Sequence, residues 1–519
     1  MIRSLRNLIF LLRIFWVLSK NGVFEPLETA NAAPAISNLA KIARHLRNDS
    51  ITGRWGQRLA GALTQLGPTF IKLGQSLATR GDLIGEQASE DLTHLQDRLP
   101  PFDYAIARSI LEHELGAPIE TLFSEFNATP VAAASIAQVH RAITSDGRKV
   151  AVKILRPYIE TAIARDLSLL SWIARILQRN LAKSHRFKPV DIINVFRDTL
   201  KIEIDLRLEA AASIELAENF IGDKSFAVAE VDWDRTTSRV FTNAWIDGFR
   251  IDDTKALAKA NLEATMLLTR AAAVFFNQVF RDGFFHADMH PGNMLVSSEG
   301  VLMPVDFGIM GRLDLETRYY LADILASFLL GNWRKVAEVH FRMGMVPANK
   351  SIDLFTQAVR SVGEPMINKS MKEISIAKLF GQVLRIAENF DMVAQPQLLL
   401  LHKTMVMSEG VGRSLNSNIN MWDLAKPLIE EWMRENRGPE ARIALVTAKI
   451  IRSIEQMPSL ILQGDKALGY IKDGGIKLHP DTMRLILQAR TQLSYWPVLI
   501  AFAAGWAFGR YTVFFDLMY

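Results

Sequence analysis

The sequence predicts an α+β chain in which a small β-bearing lobe lies between helical regions. Three observations carry that expectation. Residues 34–115 show helical periodicity and no strand-like alternation of any length. From Ala117 the character changes to short β-branched runs separated by turns. Residues 160–220, and most of the chain beyond Asp252, return to helical periodicity. The 519 residues suffice for about three structural units and a large core. A composition of 49% hydrophobic and 22% charged residues, with 30 Gly and 19 Pro, excludes collagen-like repetition and global disorder. Cysteine is absent, which excludes disulfides, Cys-ligated zinc, iron–sulfur clusters and a Cys nucleophile.

The first 20 residues, MIRSLRNLIFLLRIFWVLSK, set four cations and no acid among Ile, Leu, Phe and Trp, a membrane-interface composition. The alternative is a helix packed on the protein's own body, since apolar helix faces usually cover cores. Ala30-Asn31-Ala32 resembles a signal-peptide cleavage site, but Arg13 interrupts the apolar stretch, which argues against removal. The net charge of +5 is concentrated here: residues 1–58 carry +6 and the rest of the chain −1. A basic excess beside an apolar helix fits an anionic membrane surface better than nucleic acid.

Within 65–85, QLGPTFIKLGQSLATRGDLIG, Lys72 and Gln75 fall at i and i+3 on one helical face, and Gly74 between them allows another backbone to approach. Pro100-Pro101 closes this unit. Strands are expected from Val131 onward, at 139–144 and at 149–154, the last two joined by a Ser145-Asp146-Gly147 hairpin turn. After the helical stretch 160–220, further strands are expected at 227–231 and 239–245, and the stretch 286–311 reads as loop-rich. From 493 to 509 there is no charge, and if Arg510 snorkels the apolar stretch reaches Phe515, near the roughly 20 residues that span a bilayer. One span, a short re-entrant hairpin and a buried helix all remain open for this segment. No internal repeat or low-complexity tract is present.

Separated elements fit one phosphate-handling site. Val150-Ala151-Val152-Lys153 ends an apolar strand in lysine, as in protein-kinase-like folds, where that lysine holds the α- and β-phosphates and needs a carboxylate partner. Glu203, Asp205 and Glu209 in KIEIDLRLEA are the candidates. In His286-Ala287-Asp288-Met289-His290-Pro291-Gly292-Asn293, Asp288 and Asn293 are five apart, the spacing of a kinase catalytic-loop Asp and its Mg²⁺-binding Asn. Asp306-Phe307-Gly308 follows thirteen residues after Asn293, so the two metal-binding side chains converge if a short hairpin connects them. Asn293 and Asp306 supply hard oxygen ligands for Mg²⁺, Lys153 a point charge, and Asp288 a group to orient or deprotonate the attacking hydroxyl or water. A zinc site on His286 and His290 is the competing reading, but the glutamate that pattern needs is Ala287, and Pro291-Gly292 ends any helix. Where kinases have a Gly-rich phosphate loop this chain has Ala132, Ala133, Ala134 and Ser135, so the loop must approach the nucleotide differently.

These residues resemble the UbiB (AarF) family of atypical kinase-like proteins. The resemblance rests on the KxGQ motif Lys72-Leu73-Gly74-Gln75, the Ala-rich loop, Lys153, the ExD motif Glu203-Ile204-Asp205, the 286–293 loop and Asp306 to Gly308; it spans residues 65–311 and continues through Leu398 to Trp432, LLLLHKTMVMSEGVGRSLNSNINMWDLAKPLIEEW. It implies a bilobal protein-kinase-like fold with a helical N-terminal extension folded over the active site. It further implies that Lys72 and Gln75 face Glu203 and Asp205 as regulatory residues, which leaves Glu209 as the choice to partner Lys153, with Glu203 the alternative. The implied activity is ATP (or ADP) binding with Mg²⁺ and ATP hydrolysis or small-molecule phosphorylation, in support of ubiquinone biosynthesis at a membrane. The implied partners are membrane lipid or polyprenyl quinone intermediates, other quinone-biosynthetic proteins and a second copy of the chain as a homodimer, with no nucleic acid. A nucleotide-switched lipid-binding scaffold and a conventional protein kinase are the alternatives. The expected organisation is a basic amphipathic segment 1–33, a helical extension 34–115, an N-lobe 116–248, a C-lobe 249–435, a helical tail 436–492 and a transmembrane segment 493–519, with the catalytic domain cytoplasmic and, in a bacterium, at the inner membrane.

Overall fold

The computed structural model describes residues 2–26, 41–78, 84–180, 188–367 and 396–437, apart from 49, 94, 96–98 and 417–420, together with 382, 386–387 and 389–392. The expected tail and apolar C-terminal segment lie outside the described residues from 438 onward. Among the described residues no helix is long and apolar enough to cross a membrane. Contacts divide the chain into a unit of residues 1–433 and a second of 434–519, and every described strand belongs to the first.

Among the described residues, five helices of eight residues or more open the first unit: α1 Ile2–Lys20, α2 Trp55–Leu66, α3 Pro68–Ala78, α4 Glu86–Thr93 and α5 Tyr104–Leu115. Ile14, Leu59, Leu63, Leu66, Phe70 and Leu92 form a core shared by the first four. Gly74 is at a close approach, though of side chains and not of backbone: a Cβ there would sit 2.6 Å from Leu95 and 2.8 Å from Leu63.

An antiparallel sheet follows, of β1 Phe123–Phe126, β2 Ala132–Ala133, β3 Ala137–Thr144, β4 Lys149–Leu155 and β5 Val240–Ala244, in the order β1-β3-β4-β5 with β2 also on β3. The Asp-Gly turn between β3 and β4 places Gly147 at φ 87°, a conformation glycine adopts without penalty. Alternation then fixes the faces of β4. Val150, Val152 and Ile154 pack against Ala107, Ile110 and Leu111 of α5. Lys153 points the other way, in register with Val139 and Phe241. Phe241 joins the core built with α6 Ile159–Asn180, α7 Pro189–Glu203 and α8 Leu206–Asn219.

The remaining helices include α9 Ala264–Phe276, α10 Leu315–Leu329, α11 Trp333–Arg342, α12 Ile352–Ile367, α13 Pro396–Leu415 and α14 Met421–Arg437. Between α8 and α10 the chain forms two small sheets, β6 Phe249–Arg250 with β8 Met294–Val296 and β9 Leu302–Pro304, and β7 Phe284–His286 with β10 Met310–Arg312. Val296, Leu302, Phe284, Phe307 and Met294 bury their side chains in one core with Leu267 and Val274 of α9.

Two expectations change. The strand expected at 227–231 is irregular chain that touches β5 through a single bridge, Val231 to Asn243, with the Ala244 N–H donating to Glu230 O. The strand expected from Val131 lasts two residues, because the Ala134 N–H turns back to Ala137 O at 2.8 Å.

Candidate functional site

Lys153 and Glu209 meet across the gap between β4 and α8. The lysine Nζ donates to Glu209 Oε1 at 2.7 Å and Oε2 at 2.9 Å, and to Asp306 Oδ1 at 3.3 Å. The Phe307 N–H also donates to Glu209, at 3.3 Å, which ties the strand lysine, the α8 carboxylate and the Asp306-Phe307-Gly308 turn together. Lys153 and Glu209 are 14% and 6% exposed, whereas Asp306 is 42% exposed, so of the three it is Asp306 that a ligand can reach.

Electrostatics follows from that burial. Burial works against the Lys153 ammonium, but Asp306 and Glu209 overcome it and hold it above the ordinary lysine value. Glu209 is pushed up, chiefly by burial, with Lys153 opposing and Asp306 adding repulsion. Burial works to raise Asp306 as well, yet Lys153 and Lys72 hold it below the usual carboxylate range. Two carboxylates that share one ammonium release their first proton easily and their second late.

The catalytic-loop candidates converge on the same place. The β8–β9 hairpin connects Asn293 to Asp306 in the register Met294 to Pro304, and the Val305 N–H donates to Asn293 O at 3.0 Å. Asn293 Nδ2 donates to the Asp288 carbonyl at 3.2 Å and to Asp288 Oδ2 at 3.1 Å. His286, fully inside, accepts the Asp288 N–H at Nδ1 (3.1 Å), so its Nε2 carries the proton and donates to the Asp306 carbonyl. Burial lowers its pKa and keeps it neutral. His290 Nδ1 accepts the Gly292 N–H at 3.0 Å. Both nitrogens of His286 and one of His290 are thus engaged by the backbone, which leaves the zinc pattern no pair of ligands.

The extension reaches the site through α3. Lys72 pairs with Glu203 at 3.0 Å, and Thr69 Oγ1 donates to Asp166 Oδ2 of α6 at 2.7 Å. Glu203 therefore serves Lys72, and Glu209 serves Lys153. Asp205 does not meet the α3 face: it caps α8, accepting the Arg207 N–H at 3.2 Å, and pairs with the Arg207 guanidinium. Gln75 keeps a buried side-chain oxygen without a hydrogen-bond partner among the described residues.

The Ala-rich loop is clamped from behind. Arg156 donates through Nε (3.1 Å) and Nη2 (2.8 Å) to the Ala134 carbonyl and reaches the Pro100 carbonyl at 3.0 Å, with its guanidinium over the Phe102 ring. Ala132 and Ala133 pair with Val139 and Gln138, and Ser135 is fully buried. A loop bound this way owes its shape to Arg156 rather than to glycine.

Two residues of the site escape the sequence reading. One is Arg156. The other is Lys403 of α13, whose Nζ lies 2.9 Å from Asp288 Oδ1. Its signal is present but faint: in LLLLHKTMVM it is the lone Lys or Arg among apolar residues.

A sheet-bearing lobe that carries a buried Lys–Glu pair, with an aspartate–asparagine loop and a second aspartate converging on it, defines a protein-kinase-like fold. The family models and the curated relatives agree. Residues 94–340 match the model of the ABC1 atypical kinase-like domain, and residues 359–420 that of the UbiB helical domain. Two relatives named "Probable protein kinase UbiB" lie at about two fifths identity: that of Shewanella piezotolerans at 41% over 420 residues (80% of this chain, 76% of its own), and that of Marinobacter nauticus at 39% over 442 residues (84% and 81%). A solved structure of Rv3197 with erythromycin from Mycobacterium tuberculosis is 25% identical, with TM-score 0.45 over 69% of this chain and 91% of that one. The chain belongs to the UbiB family of atypical kinase-like proteins.

Proposed function

We propose that this chain is a Mg²⁺-dependent ATPase or small-molecule kinase that works at a membrane surface in support of ubiquinone biosynthesis. The observation that carries the chemistry is the convergence of Lys153, Glu209 and Asp306 with Asp288 and Asn293, brought from separate segments to one place where the Lys–Glu pair is buried and the aspartates are partly exposed. Lys153 holds the α- and β-phosphates, and Glu209 fixes its ammonium. The donor set suits a hard cation. Asp306 meets Lys153 and the Gly308 N–H through the single oxygen Oδ1, and Asn293 meets Asp288 through Nδ2. Oδ2 of Asp306 and Oδ1 of Asn293 are then the atoms that would hold Mg²⁺. The bound cation supplies charge neutralisation of the triphosphate oxygens. Asp288 orients the attacking hydroxyl or water, and His286 fixes the loop relative to Asp306.

Membrane association is supported by α1, which buries Ile14 while leaving Leu12 and Trp16 59% and 54% exposed. Ubiquinone biosynthesis is supported by the family resemblance of the motifs. The test is Mg·ATP binding and turnover by the full chain. Asp306→Asn is expected to abolish turnover; an unaffected Asp306→Asn variant, or a protein that does not turn over nucleotide, ends the reading.

The buried Lys72–Glu203 pair at the edge of the site favours a second reading, a scaffold in which nucleotide acts only as a switch. Quinone levels in a null strain separate the two. Asp288→Asn spares binding but not chemistry, so full restoration by this variant selects the scaffold.

A further inference from the structure

The loop and hairpin from His286 to Phe307 contain Asp288 and Asp306 but no Lys or Arg. Phosphoryl transfer brings a polyanion to Asp288, and an uncompensated carboxylate there repels it. Lys153 pairs with Glu209 and Asp306 and not with Asp288. The one cation paired with Asp288 among the described residues comes from α13, within the stretch that matches the UbiB helical domain and outside the stretch that matches the kinase-like domain.

The packing explains how α13 aims it. Leu401 packs in one cluster with Val279, Phe285 of β7, Ala287 and Leu313. Thr404 is wholly buried and donates to the Leu400 carbonyl at 2.9 Å. With Leu401 and Thr404 anchored, Lys403 between them lies over the residues that lead into Asp288. Its Nζ takes Oδ1 of Asp288 at 2.9 Å while Asn293 Nδ2 takes Oδ2 at 3.1 Å, so both carboxylate oxygens are held and the group has one orientation. An ammonium has three donors, and one is used on Asp288.

We propose that Lys403 is a positioning residue for phosphoryl transfer: its ammonium holds Asp288 toward the acceptor and offsets the carboxylate's repulsion of the incoming phosphoryl group. The helical domain thereby supplies a charge that the kinase-like domain lacks. The inference rests on the proposed function, in which Asp288 orients the attacking group.

The experiment measures steady-state Mg·ATP turnover and nucleotide affinity for the full chain and its Lys403→Ala, Lys403→Gln and Lys403→Arg variants. Lys403→Ala is expected to lower kcat about 100-fold, as loss of one transition-state donor does, with the KM for ATP within about threefold of the parent. Lys403→Arg is expected to stay within about tenfold of the parent, and ethylammonium added to Lys403→Ala to restore part of kcat, because both return a cation to Asp288. Lys403→Gln keeps the length and a donor without the charge, and stands in if the alanine variant does not fold; it is expected to lose kcat comparably. The inference falls if kcat stays within about threefold, if the loss appears as nucleotide affinity, or if neither arginine nor ethylammonium restores activity. If the parent turns over ATP and only the Lys403 expectations fail, the proposed function stands without this inference. If the parent does not turn over ATP, the proposed function falls and this inference with it.

Discussion

Replacing Lys153 by methionine tests whether the buried triad is organised as its geometry indicates. The ammonium is 14% exposed and makes three contacts within 3.3 Å, two to Glu209 and one to Asp306. Its removal leaves two carboxylates facing one another, with Lys72 acting on Asp306 from a distance. Breaking a buried ion pair by deleting one partner typically costs about 3–5 kcal/mol. The lower end applies here, because Asp306 is half exposed and can turn to water, which gives an expected loss of about 3 kcal/mol. Glu209→Gln is the contrasting perturbation. It leaves Lys153 on Asp306 at 3.3 Å and removes a carboxylate whose ionised form burial already disfavours, so the expected loss is about 1 kcal/mol. Combining Lys153→Met with Glu209→Leu replaces the pair by apolar volume and is expected to recover most of the single-variant loss, since buried pairs are often neutral against such replacement. The assay is urea unfolding of the nucleotide-free protein in chelator, with Glu209→Leu also measured alone so that the double-mutant cycle closes. A Lys153→Met variant within about 1 kcal/mol of the parent, or a Glu209→Gln variant that loses more than Lys153→Met, refutes the reasoning.

Further expectations concern other elements. Gly74→Val drives new methyl groups into Leu95 and Leu63, which a Cβ alone would meet at 2.6 and 2.8 Å, and should destabilise the extension by about 2 kcal/mol by thermal melting; a higher melting temperature would show that α3 is not pressed against α2. Burial depresses His402 to about 4, so between that value and the ordinary histidine value near 6.5 the unfolded chain binds the extra proton. Stability from this group is therefore full above pH ~6.5 and lost as pH falls toward ~4, on the order of 3 kcal/mol in all. His402→Gln should lose about 2 kcal/mol less than the parent between pH 7 and pH 5, and equal acid sensitivity would contradict the assignment. Leu12→Glu combined with Trp16→Glu alters exposed positions of α1 and should change stability by less than about 0.5 kcal/mol. The same pair should weaken flotation with phosphatidylglycerol vesicles about tenfold, whereas unchanged flotation would remove α1 from the membrane contact.

What the sequence disclosed depended on how far each constraint reaches. The β3–β4 hairpin and the helical extension are legible because a period of two or of 3.6 residues repeats within one element. The four strands β7 to β10 are not, since each is three residues long and shorter than any window in which alternation shows. Asp288, Asn293 and Asp306 are legible as a set because their spacing along one hairpin fixes their convergence. Lys403 is 115 positions from its partner, so only the packing of α13 on β7 reveals it.

The choice between Glu203 and Glu209 lies between these extremes. On one continuous helix, residues six apart are rotated by about 240°, so neither carboxylate could be preferred for Lys153 from spacing alone. The helix does not continue. Glu203 is the last residue of α7, Ile204 closes it at φ −91° and ψ 5°, and Asp205 is extended at φ −113° and ψ 94°. Asp205 then caps the new helix α8, which carries Glu209 beneath β4. The break lets one short segment present carboxylates to two different lysines, Lys72 of the extension and Lys153 of the sheet. The capping role of Asp205 is therefore what separates the two pairs. Asp205→Ala is expected to weaken the nucleotide-free fold by about 1 kcal/mol and to disturb both pairs together, read as a loss of additivity between Lys72→Met and Glu209→Gln. Full additivity in that background would show that α7 and α8 are positioned independently of their junction.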